Sequence, residues 1–68
     1  MKIYLNGELT EVSDSLSLMQ LLDSRGIGKK GIAVELNQKV LNSELWSDTR
    51  LKSGDILEVV HFVGGGAF

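Results

Sequence analysis

The residues on which chemistry is most readily placed lie at the end of the chain, Gly64-Gly65-Gly66-Ala67-Phe68. Three successive glycines pack no core and lose much conformational entropy when ordered. They suit a backbone that must thread a channel too narrow for any Cβ. A carboxylate at the end of such a thread is a reactive group that a partner enzyme can reach. The plainer alternative is a frayed tail with no role. Competing chemistries find little support. His61 is the only histidine, and a lone histidine on a strand is more often a packing or surface residue than a base. The acidic residues show no metal-ligand spacing, and the absence of cysteine removes thiolate nucleophiles and thiolate metal sites. The glycine run follows a strand but precedes no helix, which rules out a nucleotide-binding loop. No catalytic residue and no metal ligand is therefore assigned.

The 68 residues allow one domain, and a domain this small buries only about 60% of the surface its unfolded chain exposes. The net charge is −2, and the seven basic residues are scattered, so nucleic acid is not an expected partner. Neither a signal peptide nor an apolar run of membrane-spanning length is visible. The expectation is a soluble, cytoplasmic, monomeric protein that does not engage membranes.

The elements that must position the tail follow in order. Residues 1–5 alternate with the period of a strand. Asn6-Gly7 is the preferred pair for a two-residue type I′ turn, so a second strand runs from Glu8 to about Val12. That register pairs Leu5 with Glu8, Ile3 with Thr10 and Met1 with Val12. Met1, Ile3, Leu5 and Val12 then face the core, and Tyr4 and Leu9 face the other way.

A helix is predicted between Leu16 and Gly26. Ser17 and Gln20 form a capping box, with Leu16 and Leu21 as its hydrophobic staple. Leu18, Leu21 and Leu22 form the buried stripe, and Arg25 lies at its rim. Gly26 occupies the left-handed C′ position, with Ile27 folding back on Leu22. Gly28-Lys29-Lys30-Gly31 reads as a solvated loop.

Ile32 to Leu36 reads as a strand with Ile32, Val34 and Leu36 on one face. Asn37-Gln38 is a turn candidate before a short extension, Lys39-Val40-Leu41. Ser43 is expected to cap a single helical turn holding Glu44, Leu45 and Trp46. Trp46 is assigned to packing, and Leu51 to the start of another short strand. After a tight turn at Lys52-Ser53-Gly54-Asp55, the final strand runs from Ile56 to Val63. Leu57 and Val59 face the core.

A crossover through the helix places the third strand in the same sheet as the hairpin. The last strand, apolar on both faces, must be central. One helix covers only one face of such a sheet. The other face then carries Val60, Phe62, Tyr4 and Leu9, and a cluster of large apolar residues on an uncovered face reads as a partner-docking surface.

The hairpin, the capped helix, the VELNQKVL and LKSGDILEVVHFV segments and the terminal glycines together resemble the ubiquitin-like sulfur carriers, and within them the thiamine-biosynthesis (ThiS) family. The resemblance spans essentially the whole chain. It implies an α+β, β-grasp fold, with a mixed four- to five-stranded sheet and one main helix packed on one face. Residues 1–63 would form the domain and 64–68 a flexible tail. Gly65 and Gly66 match the family's terminal pair, which makes Gly66 the functional end. Ala67 and Phe68 depart from that pattern, and the chain looks like a precursor. Related carriers with two extra residues are trimmed by a zinc metalloprotease of the JAMM type.

The resemblance implies a carrier, not an enzyme. A terminal carboxyl is ionised at pH 7 and accepts nucleophiles poorly. An E1-like adenylating enzyme would use ATP to turn one oxygen of the Gly66 carboxylate into a leaving group, and sulfur would replace AMP to give a thiocarboxylate. No cofactor is permanently bound in that scheme. The sulfur would pass to an acceptor enzyme such as thiazole synthase, or to a sulfhydrylase in a homocysteine or cysteine branch. Two further readings are a ubiquitin-like interaction module with an idle tail, and a small synthase subunit like that of molybdopterin synthase. The latter is disfavoured by the lack of a Pro-Pro-rich approach to the glycines.

The tail reading makes a prediction of its own. Backbone order parameters from NMR relaxation should fall below about 0.6 from Gly64 onward. Values equal to those of the sheet would mean a packed tail that cannot be presented.

Overall fold

The computed structural model describes residues 1–28 and 30–61. Its strands are β1 (Lys2–Leu5), β2 (Glu8–Glu11), β3 (Ile32–Leu36), β4 (Lys39–Leu41) and β5 (Ile56–His61). The helix α1 (Leu18–Ser24) lies between β2 and β3, and a 3-10 turn (Ser43–Leu45) precedes β5. One mixed sheet has the order β2-β1-β5-β3-β4. β1 and β5 run parallel, and every other neighbouring pair is antiparallel. This is the expected α+β, β-grasp architecture, with five strands. β5 is central, as its two apolar faces require.

The hairpin forms in the predicted register, with Leu5 opposite Glu8 and Ile3 opposite Thr10. Asn6 and Gly7 take φ values of 50° and 84°, as a type I′ turn demands. The backbone N–H of Val12 donates to the Met1 carbonyl at 2.8 Å, which extends the pairing to the chain start.

The helix termini are fixed by local chemistry. At the N-terminus, the Gln20 N–H donates to Ser17 Oγ and the Ser17 N–H donates to Gln20 Oε1, each at 3.0 Å. At the other end Gly26 has φ 71°. Its N–H reaches the Asp23 carbonyl, and the Ile27 N–H reaches the Leu22 carbonyl at 2.9 Å, which is the Schellman pattern. The helix presents Leu18, Leu21 and Leu22 to a core shared with Ile3, Ile32, Val34, Leu51, Leu57 and Val59.

Trp46 seals the end of that core, 1% exposed. Its Nε1–H donates to the Leu41 carbonyl, so the indole is packed and satisfied. Two expectations need correction. Asn42, not Ser43, occupies the N-cap position of the short turn, and it makes no side-chain cap. A 3-10 turn closes on i→i+3 bonds, here from the Leu45 N–H to the Asn42 carbonyl, and does not need the hydroxyl. Leu51 starts no strand. It is buried, and its N–H donates to the Leu16 carbonyl, so the segment is tied to the helix entry, with only an isolated bridge between Ser17 and Arg50.

Asn37 and Gln38 form a second two-residue turn with both φ values positive and no glycine. The strain of that backbone is opposed by a small polar network. Asn37 Nδ2 donates to Asp55 Oδ1 at 3.0 Å, and Asn37 Oδ1 accepts the Ile56 N–H at 2.9 Å. Asp55 is 9% exposed, and its Oδ2 accepts the Lys52 N–H at 2.7 Å. One carboxylate thereby fixes the turn before β5 and the turn between β3 and β4.

Asp55→Ala strands the Lys52 N–H and the Asn37 amide. The expected loss is about 1–3 kcal/mol, read from the urea midpoint, with a smaller loss for Asp55→Asn, which keeps one acceptor oxygen. An unchanged midpoint for the alanine variant would show that water replaces both bonds.

Candidate functional site

The functional reading has two parts, a docking face and a tail. The face is set by the period of β5. Leu57 is fully buried and Val59 nearly so, whereas Ile56, Glu58 and Val60 point away from the helix. Val60 is 55% exposed, far from the burial of a core valine. The predicted partition of β5 therefore holds in the described range.

Neighbouring strands add to the same face. Tyr4 and Leu9 are direct cross-strand partners, and Tyr4 lies beside Ile56 in the parallel pairing. Ala33 lies opposite Val60, and Val40 lies opposite Glu35 on the other flank. Tyr4, Leu9, Val40, Ile56 and Val60 are all exposed large apolar residues. Three of the predicted docking residues, Tyr4, Leu9 and Val60, thus share one face. The fourth, Phe62, lies outside the described residues, as do Val63, Gly64, Gly65, Gly66, Ala67 and Phe68, and Lys29 of the loop.

The sequence reading missed Ile56, Val40 and the two glutamates between them. Ile56 shares its parity with Val60, and Val40 alternates with the inward Leu41, so the period-2 rule could have placed both. The outward placement of Glu35 and Glu58 follows from the same rule, but their pairing could be found only through the β3–β5 register, which sets them opposite each other. A groove of about 370 Å3 runs along this part of the face, with both glutamates, Val40, Ile56 and Val60 in its wall.

Strand β5 is held on the β3 side up to the last described residue and on the β1 side as far as Val59. His61 is paired with Ile32 of β3. On the β1 side, the Asn6 N–H donates to the Leu57 carbonyl and the Val59 N–H donates to Asn6 Oδ1, both at 2.8 Å. The Asn6 side chain thus continues the pairing past the end of β1. His61 itself is exposed. Among the described residues, no group of three His, Asp or Glu side chains could hold a metal ion, and no helix is long and apolar enough to cross a membrane.

Comparison with known proteins agrees with this geometry. The model of the ThiS family matches residues 3–66. The chain belongs to the ThiS family. It is 34% identical to the sulfur carrier protein ThiS of Bacillus subtilis (strain 168), over 94% of this chain and 98% of that one. The crystal structure of the thiamine biosynthesis protein ThiS from Geobacter metallireducens superposes with a TM-score of 0.83 at 35% identity, covering 97% of this chain and 100% of that one. A thiazole synthase of Paramagnetospirillum magneticum is 34% identical over 98% of this chain, and the chain spans about a fifth (21%) of that protein's length. The ThiS neighbours share the mixed sheet and single helix, so the β-grasp expectation and the family expectation both stand.

The two faces of β5 predict opposite outcomes for the same substitution. Val60→Asp should leave the thermal midpoint within a few degrees of wild type, because its carboxylate meets water. Leu57→Asp should abolish the cooperative transition, since burying an unpaired carboxylate consumes most of the roughly 5 kcal/mol a small domain commands. Circular dichroism melts decide. Unfolding by Val60→Asp would place that side chain in the core.

Proposed function

We propose that this ThiS-family chain is a sulfur carrier, not an enzyme, whose functional end is the carboxylate of Gly66. The observation that carries the reading is the continuity of β5 with the glycine run. The strand that supplies the centre of the exposed apolar face is the strand that leads to Gly64, Gly65 and Gly66. The family match ends at Gly66, which supports that residue as the end and Ala67-Phe68 as a removable extension.

In the proposed cycle an E1-like enzyme docks on Tyr4, Leu9, Val60 and Phe62. The tail enters its active site. A carboxylate oxygen of Gly66 attacks the α-phosphate of ATP, and pyrophosphate leaves. Sulfide (HS⁻) then adds to the acyl carbon, the acyl–oxygen bond to AMP breaks and AMP leaves, which yields the thiocarboxylate. Every step uses the partner's groups, so the chain needs no catalytic residue, metal or resident cofactor. A metalloprotease of the JAMM type fits the trimming step. We propose a cytoplasmic cycle, a setting that supplies the ATP that the activation step consumes.

The acceptor we favour is thiazole synthase, and the route is thiamine thiazole formation. A segment similar to this chain occurs within proteins named thiazole synthase in Paramagnetospirillum magneticum and Magnetococcus marinus.

ATP–pyrophosphate exchange with the cognate adenylating enzyme tests the assignment on chains ending at Gly65, Gly66 and Phe68. In the longest chain the carboxylate lies two residues, about 7 Å, beyond the reacting position. Exchange confined to the Gly66 chain is expected. Comparable exchange with the Phe68 chain would remove the need for trimming, and comparable exchange with the Gly65 chain would move the functional end.

A further inference from the structure

We propose that Glu35 and Glu58 form a receptor for one arginine side chain of the protein that docks on this face. The inference rests on the docking reading above and adds the polar determinant of the complex. The two residues are direct cross-strand partners at the middle of the β3–β5 pairing. Like charges placed opposite each other destabilise a sheet. Nothing among the described residues offsets them, since the only ion pair there joins the N-terminal amino group to Asp14.

Their surroundings are mostly apolar, with Gln38 the one other polar residue in the groove wall. Val60 and Ala33 form the next outward pair along the strands, Ile56 precedes Glu58 by two residues, and Val40 lies opposite Glu35. A solvated charged surface needs no such frame. The frame and the groove of about 370 Å3 that both glutamates line make a recess with acidic walls inside an apolar border. Docking would cover it, and two buried carboxylates without a cation would oppose association strongly.

The occupant must therefore bring positive charge. Opposed residues on antiparallel strands lie about 4.5–5.5 Å apart at Cα. A guanidinium presents five donors in a planar fork and can bond both carboxylates, while its methylene stem lies along Val40 and Ile56. An ammonium is a point charge that satisfies such a pair less completely. A second copy of this chain is a poor occupant, because symmetric contact around the pair would oppose four carboxylates.

The test uses the full chain and its adenylating enzyme, with dissociation constants measured by calorimetry for wild type, Glu35→Gln, Glu58→Gln, the double variant and Val60→Asp. Thermal midpoints of the free proteins and sedimentation of wild type alone complete the set. The double variant should bind about tenfold more weakly or worse, with a reduced salt dependence. Its free form should melt at the same temperature or higher, because repulsion is relieved. A double variant that binds like wild type while Val60→Asp does not overturns this inference and leaves the docking face standing. Wild-type affinity for both the double variant and Val60→Asp defeats the docking reading and this inference together. A lowered melting temperature of the double variant would make the glutamates structural, and self-association of wild type would assign the face to a second copy. Either result overturns the proposal.

Discussion

The structure depends on one pairing, the parallel contact between β1 at the start of the chain and β5 at its end. Without it the β1–β2 hairpin and the three-stranded β5-β3-β4 sheet are two separate pieces, and the core loses the side that Ile3 fills. The contact is short, with Tyr4 beside Ile56 and Leu5 beside Leu57. It is reinforced from both directions. The Gly54 N–H donates to the Lys2 carbonyl and the Tyr4 N–H to the Asp55 carbonyl, and beyond the strand end Asn6 substitutes its side-chain amide for backbone. Asn6 thus serves twice, once by its positive φ in the hairpin turn and once by its Oδ1 on β5.

From that constraint the two faces follow. A five-stranded sheet with a single helix has one face to bury and one to leave exposed. The inward positions of β5 fill the core, and its outward positions, Ile56, Glu58 and Val60, go to the opposite surface. A monomeric domain gains little from two large apolar residues, Ile56 and Val60, in water when polar ones would hold the strand as well. Their presence on the strand that leads to the tail is more economically explained by association than by folding.

How much was legible in the sequence depended on how local the cause was. The Asn6-Gly7 turn, the Ser17–Gln20 box and the Gly26 cap act within a few residues, and all three formed as read. The central place of β5 was legible because a strand apolar at Leu57, Val59 and Val60 alike has few other places to go. Ser43 misled because a hydroxyl before a short apolar run looks like a cap, although a 3-10 turn closes without one. Leu51 misled because a buried residue between polar ones imitates a strand. The Asn37–Asp55 network and the Glu35–Glu58 pair were beyond local pattern. Both join residues far apart in sequence and depend on register, which no single segment specifies.

Anchoring the strand matters more to a carrier than the length of its tail. β5 is bonded on the β3 side through His61, so His61 is fixed relative to the docking face. Residues 62–66 reach at most about 17 Å from there. In the proposed cycle, a docked partner whose active site lies within that radius would meet the Gly66 carboxylate of the trimmed chain at an effective concentration set by the short tether, not by the concentration of the protein in solution. A longer or less firmly held exit would dilute the carboxylate over a larger volume and lower the chance of reaction per encounter. In that proposal the central strand and the glycine run beyond it are complementary parts of one device, with specificity placed on the sheet and reach placed on the glycines.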